Sequence, residues 1–253
     1  MGADQTRVCK DNHENPTLKN VRSIDDCSPR GLSLQRQARA ANVRQLKVID
    51  KEDQDFAYDN GNGGLERVKV GKRMVAWLSL KDPDIHNGRP ASENTDQNAM
   101  MADYRTKTGL MGGKLVKGHL LNEHLGGPAE NSNLYPITDG ANWDHLGYVE
   151  NYVKYWVLNG RTVQYEVDAK PCGNEPLNTF FCRHSQFKCH YKTIDNKGES
   201  VDNSVTILSD IVGGRKLARG SVLDASGNYL KKGEYKFVDG DYDKRLNDQL
   251  RSK

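Results

Sequence analysis

The distribution of apolar and polar residues predicts β-strands through the middle of the chain. Three segments either concentrate β-branched and other apolar residues or alternate with period two, as strands with one buried face do. These segments are residues 67–80, 114–121 and 161–169. Gly71 interrupts the first segment, so that segment can form one strand or two. A further pair of strands is expected where residues 187–193 and 200–208 flank the turn Asp-Asn-Lys-Gly at 195–198.

The clearest helix is predicted from Trp143 to Leu158. Apolar residues recur there at spacings of three and four, which places them on one face of a helix. They are Leu146, Val149, Val153, Trp156 and Val157. Thr138 or Asp139 can cap the start of this helix, and Gly160 can end it.

The remaining segments are polar and predict loops or extensions. We expect a short helix within 34–46, a loop or linker over 48–66 that contains the Gly/Asn-rich turn 59–64, and a long loop over 81–98. The predicted fold class is α+β with an antiparallel sheet. The predicted division is an N-terminal extension at 1–64, a folded domain at 65–212 and a loosely packed C-terminal extension at 213–253.

Composition narrows the class of protein only slightly. Of the 253 residues, 36% are hydrophobic and 28% are charged, which suits a polar globular protein. No apolar run reaches the roughly 18 residues that span a bilayer, and the N-terminus lacks the apolar stretch of a signal peptide. The net charge of +3 is mild, but residues 104–122 carry four basic side chains and no acid. Such a local basic stretch is either a solvated face or a surface for phosphates.

Five cysteines leave several interpretations open. Cys172, Cys182 and Cys189 fall in one stretch with His184 and His190. Their irregular spacing contains no CxxC pair, which disfavours a zinc cluster. A disulfide among the three cysteines and free thiols are both compatible with this spacing.

Four polar residues in the middle of the chain combine the groups that phosphodiester hydrolysis requires. A base must deprotonate the attacking water, and a divalent cation must offset charge on the phosphate. His119 can act as the base because imidazole titrates near neutral pH. Asn142 and Glu150 are oxygen donors eight residues apart, and on one continuous α-helix they would lie about 80° apart around the axis, so both can lean toward one cation. Asn133 precedes them.

The spacing of these residues resembles that of the DNA/RNA non-specific endonucleases of the ββα-metal (His-Me finger) superfamily. That family carries Gly-His at the end of a strand, an Asn-x-x-Pro, a metal-binding Asn nine residues later and a Glu eight residues further on. Here Gly118-His119 is followed by Asn133-Leu-Tyr-Pro136, and the intervals from Asn133 to Asn142 and from Asn142 to Glu150 are nine and eight residues. The resemblance covers roughly residues 74–167. It implies a ββα-metal motif on the antiparallel sheet.

The resemblance also implies a role for each matching residue. His119 is expected to be the general base, Asn142 the direct ligand of Mg²⁺, with Mn²⁺ as the alternative ion, and Glu150 the group that holds metal-bound waters. Asn133 is expected to orient the site. Lys154 falls where the family often places a basic residue near the scissile phosphate.

Two departures from the family pattern affect what the resemblance implies. The usual Asp-Arg-Gly-His is here Val116-Lys117-Gly118-His119, so Lys117 keeps the charge of the Arg but loses its bidentate contact with phosphate. The interval from His119 to Asn133 is also shorter than the family pattern has. The variant Gly118-His119-Leu-Leu-Asn122 with Leu125-Gly-Gly-Pro128 looks like the subgroup of secreted bacterial toxins and nuclease effectors. That likeness implies delivery into target cells by a secretion or injection system, a cognate inhibitor protein, and a delivery role for residues 1–64.

Other residues and a second class of function remain open. His145 can be a second metal ligand, His124 is a weaker candidate, and Arg89 can reach phosphate. Aromatic side chains near the predicted site either stack on bases or fill the core, and the core is favoured. They are Trp143, Tyr148, Tyr152 and Trp156. The first hypothesis, which the resemblance implies, is a Mg²⁺-dependent endonuclease that acts on DNA, RNA or both. The second hypothesis is a nucleic-acid-binding or scaffold protein on the same fold with an impaired site.

Overall fold

A computed structural model describes residues 49–82, 85, 87–110, 114–174, 176–180, 182, 184–195, 200–210, 222–230 and 242–251. The chain divides into two units, 1–42 and 43–253, and every described residue belongs to the second unit. The short helix predicted within 34–46 lies outside the described residues.

The fold class is α+β, as predicted, and the strands pair antiparallel. The elements in chain order are β1 (Ile49–Asp59), β2 (Leu65–Leu78), α1 (Asn98–Thr108), β3 (Leu115–His119), β4 (Leu134–Thr138), α2 (Asp139–His145), α3 (Asn151–Leu158), β5 (Val163–Pro171), β6 (His184–Thr193), β7 (Asp202–Asp210), β8 (Val222–Leu223) and α4 (Tyr242–Arg251). The larger sheet has the order β1-β2-β5-β6-β7-β8, and β3 pairs with β4 in a separate two-stranded sheet.

The strands predicted at 114–121 and 161–169 and the hairpin that follows are confirmed. The strand pair of the hairpin runs in register from His184 opposite Asp210 to Lys192 opposite Asp202. The segment around Gly71 forms one strand, because β2 pairs with β1 on both sides of this glycine, with a shift of register between Glu52 and Asp53.

The loop predicted over 48–66 is wrong, because β1 occupies most of it. This strand pairs along its whole length with β2 and is the first strand of the sheet. Edge strands are often charged, since charged side chains discourage pairing with another chain. Only Phe56 and Tyr58 are buried in β1, so the sequence lacks the alternation that predicts a strand. The folded domain therefore begins no later than Ile49 and includes part of the expected N-terminal extension.

The helix predicted from Trp143 to Leu158 is present but begins earlier and is interrupted. Its N-cap is Thr138, whose hydroxyl accepts a hydrogen bond from the amide of Ala141. A π-helical turn, Leu146–Glu150, separates α2 from α3. A π-turn spreads one turn over more residues than an α-turn. The predicted offset of about 80° between Asn142 and Glu150 assumed an unbroken α-helix, so it does not hold across the π-turn that ends at Glu150.

The core lies between the larger sheet and the helices. Alternate residues of β5 and β6 are buried on one face, and the apolar stripe of α3 packs toward them. Tyr148, Tyr152 and Trp156 pack against this core as predicted, and the ring centroids of Tyr152 and Tyr191 are 6.3 Å apart. Trp143 differs, because it is 48% exposed to solvent.

Two helices were not expected from the sequence. Within 81–98 the structure has a 3₁₀ turn, Ala91–Glu93, and the start of α1, which buries Met100, Met101 and Tyr104. At the other end, α4 lies in the expected loose tail but buries Tyr242 and Leu246 in the core. The prediction of a loosely packed tail is therefore wrong for this helix. Among the described residues, no helix is long and apolar enough to cross a membrane.

Candidate active site

His119 is the last residue of β3, and its ring is fixed by a backbone carbonyl. Its Nε2 atom lies 3.0 Å from the carbonyl oxygen of Arg89. A carbonyl oxygen can only accept a hydrogen bond, so Nε2 carries the proton and Nδ1 keeps its lone pair. The neutral ring thus has one nitrogen held by the protein and the other ready to accept a proton.

The Arg89 carbonyl is itself held in place by the segment that follows β3. The amide of Arg89 donates to the carbonyl of Gly127 at 2.9 Å. Next to it, Gly88 lies directly against the backbone of Glu123, where a Cβ atom would come within 1.9 Å of the carbonyl oxygen. Only glycine allows this approach. The partner of His119 is therefore positioned by backbone contacts.

Burial lowers the pKa of His119 below its usual value. The negative charge of Glu150 and the contact with the Arg89 carbonyl oppose this shift, which places Glu150 within electrostatic reach of the ring. His119 is consequently neutral at physiological pH, which is the state in which an imidazole can take a proton.

Asn142 comes close to the strand that ends at His119 because the residue before His119 is glycine. A Cβ atom on Gly118 would lie 3.3 Å from Asn142 Oδ1 and 2.4 Å from Ile137 Cδ1. The absence of a side chain thus lets α2 approach β3 with the amide oxygen of Asn142 beside the strand. The Gly-His pair of the sequence motif has a steric reason in this contact.

Glu150 is buried at the end of the π-turn, where two polar groups hold its carboxylate. Asn122 Nδ2 donates to Glu150 Oε2 at 2.7 Å, and His145 Nδ1 lies 3.4 Å from Glu150 Oε1. Burial raises the pKa of Glu150, while electrostatic interactions with Lys154 and His119 and the hydrogen bond from Asn122 act against that rise. A buried carboxylate of this kind is stabilised by a nearby cation.

His145 supports Glu150 from behind. Its Nε2 atom lies 2.7 Å from the hydroxyl of Tyr165, and burial together with the charge of Lys154 lowers its pKa to about 3. The ring is therefore neutral, and Tyr165, whose pKa burial raises, keeps its proton and donates to Nε2. With Nε2 occupied and Nδ1 directed at Glu150, His145 is arranged to position the carboxylate. This arrangement does not favour the open alternative of a second metal ligand.

Asn133 is completely buried and makes only backbone contacts. Its Oδ1 accepts from the amide of Leu121 at 2.9 Å, and its Nδ2 donates to the carbonyls of Leu121 and Pro128 at 3.0 and 2.9 Å. Its side chain therefore pairs with the chain just after His119 as a neighbouring strand would. The side chain of Asn133 thus holds this backbone, and the protein uses both hydrogens of its amide.

Lys117 and Lys154 are both engaged by other residues. The ammonium of Lys117 donates to the Asn94 carbonyl and to Asn98 Oδ1 at the start of α1, and partial burial lowers its pKa. Lys154 is fully buried, with its Nζ atom 2.6 Å from Asp243 Oδ1 of α4. Lys154 therefore does not present its ammonium to solvent, whereas Lys117 is only partly buried.

The side chain of Arg89 is better placed for phosphate. It is 68% exposed, with a long contact of 3.8 Å to Glu93, and its own backbone carbonyl touches His119.

The weaker candidate His124 lies between two acids, 3.5 Å from Glu123 and 3.6 Å from Asp243. The exposed ring of Trp143 directly follows Asn142 in the chain.

The donors around Glu150 fit a hard divalent cation. Carboxylate and amide oxygens are the ligands that Mg²⁺ takes, and this ion keeps several waters and uses only one or two protein groups. Within the described ranges there is no cluster of three or more His, Cys, Asp or Glu side chains that would form a complete protein cage. The stretch near Cys189 holds no such cluster either, and burial raises the pKa of that thiol strongly.

Three residues make contacts near the site that the sequence did not predict. Asn122 was visible in the motif, but its bond to Glu150 joins residues 28 positions apart. His145 was weighed as a ligand and not as a support for Glu150. Asp243 lay in the expected tail, where no local pattern indicates its contact with Lys154.

Similarity to known proteins is found among solved structures. No family model and no curated protein matches the chain. The similar solved structures include two nucleases. NucA from Streptococcus agalactiae with magnesium ion bound is 17% identical, with 74% of this chain and 92% of NucA covered and a TM-score of 0.41. Sda1 nuclease with bound zinc ion is 14% identical, with coverages of 75% and 98% and a TM-score of 0.35.

Proposed function

We propose that the chain is a metal-dependent endonuclease that hydrolyses phosphodiester bonds of DNA, RNA or both with little regard to sequence. The observation that carries the proposal is the contact between His119 Nε2 and the Arg89 carbonyl. It leaves a neutral Nδ1 as a base on the strand that Asn142 approaches, with the buried Glu150 within electrostatic reach. Base and oxygen donors together are what phosphodiester hydrolysis requires.

Each residue has a defined task in this proposal. His119 Nδ1 accepts the proton of the attacking water. Asn142 and Glu150 hold Mg²⁺ or Mn²⁺, Asn142 directly and Glu150 through bound waters. The bound cation supplies charge neutralisation at the phosphate and at the departing oxygen. Arg89 binds phosphate from the surface, and because phosphate contacts carry no sequence information, the enzyme cleaves many sequences.

The test is degradation of plasmid DNA and total RNA by the purified protein, with Mg²⁺, with Mn²⁺ and with EDTA. Cleavage is expected with either ion and lost with EDTA. The variant His119→Ala is expected to lose about 10²–10⁴-fold in rate, the usual contribution of a general base. His190→Ala serves as the control, because it removes a histidine of β6 that is paired with Asp202 of β7. Retained nucleic-acid binding without cleavage under either ion would instead support a binding or scaffold protein.

We further propose that the nuclease is a bacterial toxin or effector delivered into target cells. The motif variant Gly118-His119-Leu-Leu-Asn122 with Leu125-Gly-Gly-Pro128 supports this idea. Cytoplasmic expression in a bacterial host is expected to stop growth and degrade nucleic acid, and His119→Ala is expected to remove both effects. Coexpression of a cognate inhibitor protein should restore growth. If growth continues while active enzyme accumulates, the toxin role is excluded.

The N-terminal region can be tested separately as a delivery segment. Because β1 belongs to the sheet, the truncation must end before Ile49. Residues 43–253 form one unit, so a chain that starts at 43 is expected to fold and to keep nuclease activity. Loss of both folding and activity in this truncation would contradict a separable delivery segment.

A further inference from the structure

The C-terminal helix brings a carboxylate to a lysine that would otherwise be a buried lone charge. Lys154 has no solvent exposure, and its Nζ atom is 2.6 Å from Asp243 Oδ1 on α4. Among the described residues, Asp243 is the one carboxylate within ion-pair distance of Lys154. A buried cation without a partner is unfavourable, so the position of Asp243 determines where the charge of Lys154 acts.

Helix α4 is attached to the core by apolar contacts and not by this ion pair alone. Leu246 is fully buried, and Tyr242 packs edge-on against Tyr155 with ring centroids 6.3 Å apart. Asp243 also lies 3.6 Å from His124, in the 3₁₀ turn Glu123–Leu125 that follows β3. The helix therefore holds Asp243 in place from several sides and is a fixed part of the structure.

Lys154 is also the cation nearest in sequence to the proposed metal-binding carboxylate. Lys154 lies in the first turn of α3, and Glu150 is the N-cap of this helix. Because side chains four residues apart are neighbours on a helix surface, both are expected on the same side. Its positive charge acts on Glu150 and on His145, which itself lies 3.4 Å from Glu150. An unneutralised Lys154 would compete with a divalent cation for the Glu150 carboxylate.

We propose that Asp243 is a positioning residue of the cation site: by pairing with Lys154, it keeps the negative charge of Glu150 available to the divalent ion. This inference rests on the proposed function, because it assumes that Glu150 helps to bind the cation. With Asp243 present, the group formed by the buried Glu150 and Lys154 and the partly exposed Asp243 has a net charge of −1. Without Asp243 the same group is neutral, and its attraction for a divalent cation falls.

The experiment is calorimetric titration of the full-length protein with MgCl₂ and with MnCl₂, in the absence of nucleic acid. Asp243→Asn is expected to weaken cation binding by at least about tenfold, the effect of one unit charge acting over several ångströms in a protein. Asp248→Asn removes the same charge from an exposed position of the same helix and should bind like the wild type. The double variant Lys154→Met with Asp243→Asn removes both charges and should recover most of the affinity.

The outcomes separate this inference from the proposed function. Cation binding that is unchanged in Asp243→Asn, with only a lower melting temperature, would show that the ion pair is structural and would overturn the inference alone. No cation binding by the wild type would overturn the proposed function as well. If Asp243→Asn does not fold, Lys154→Met decides, because the inference requires that its cation affinity be no weaker than that of the wild type. Higher nuclease activity of Asp243→Asn would make α4 an inhibitory cover and overturn the inference.

Discussion

His119 and Arg89 are thirty residues apart in the chain, yet Nε2 of the histidine lies 3.0 Å from the carbonyl oxygen of the arginine. This contact determines which ring nitrogen carries the proton, and it places the exposed guanidinium of Arg89 on the loop that borders the base. The two residues thereby join the base and the proposed phosphate contact in one unit.

The rate of cleavage is expected to rise with pH and to level off below pH 6.5. Burial lowers the pKa of His119 from 6.5, so the ring is protonated and inactive only at acidic pH. A profile of kcat/KM against pH at constant ionic strength and saturating Mg²⁺ measures this value. An acidic limb with a midpoint above pH 6.5 would be inconsistent with His119 as the buried base.

Gly118→Ala is expected to reduce activity and to destabilise the fold by about 1–3 kcal/mol, as overpacking in a tight site does. The added Cβ would clash with Ile137 and press on Asn142 Oδ1. Gly140→Ala in α2 is the matched control, because a Cβ there has no atom within 4 Å. Chemical denaturation and initial rates measure both effects. Equal behaviour of the two variants would contradict the close approach of Asn142.

Asn133→Ala is expected to lower the free energy of unfolding by about 2–4 kcal/mol, because it leaves buried backbone groups at Leu121 and Pro128 without their partner. Activity should fall with it, since the same bonds fix the chain after His119. Asn62→Ala, in the exposed turn between β1 and β2, should change stability by less than about 0.5 kcal/mol. Urea denaturation of both variants would show whether Asn133 has this structural role.

Stability is expected to decrease as the pH falls, and His145 should account for much of the decrease. Its pKa is about 3 in the folded protein against 6.5 as its usual value, so between these limits the unfolded chain binds one more proton. Each pH unit in that window should remove about 1.4 kcal/mol of stability from this group. The contribution is complete above pH 6.5 and is lost as the pH falls toward 3.

The measurement is the free energy of unfolding from pH 7 down to the lowest pH at which unfolding is reversible. The raised pKa of Glu150 acts in the opposite direction, because protonation of that buried carboxylate favours the folded state. His145→Gln should therefore give a flatter pH dependence than the wild type, whereas His184→Gln on the half-exposed end of β6 should not. Parallel curves for wild type and His145→Gln would disprove the buried neutral state of His145.

Arg89→Ala is expected to weaken binding of all nucleic-acid sequences alike and to reduce the slope of log affinity against log salt by about one, as loss of a single phosphate contact does. Arg67→Ala, on the exposed hairpin end of β2, is the control for a change of net charge. Fluorescence anisotropy with EDTA present separates binding from cleavage. An unchanged salt slope would remove Arg89 from the substrate surface.

Local patterns were sufficient for much of the motif. The strand that ends at His119 and the helix that ends at Leu158 follow from the period of apolar residues, which depends on neighbours a few positions apart. The sequence missed β1, because an acidic edge strand buries too few side chains to alternate visibly, and it missed α1, whose buried residues lie in a polar surrounding. The π-turn that ends at Glu150 was also not predicted.

The sequence alone determined which chemical groups are present and how far apart they stand along the chain: a histidine at the end of a strand, and an asparagine and a glutamate eight residues apart on one helical segment. Only the tertiary structure decided what each group contacts. Three contacts join segments that are distant in sequence: His119 with the Arg89 carbonyl, Glu150 with Asn122, and Lys154 with Asp243. Hydrogen bonds and ion pairs depend on distances between atoms, and the folded chain sets those distances by packing its core.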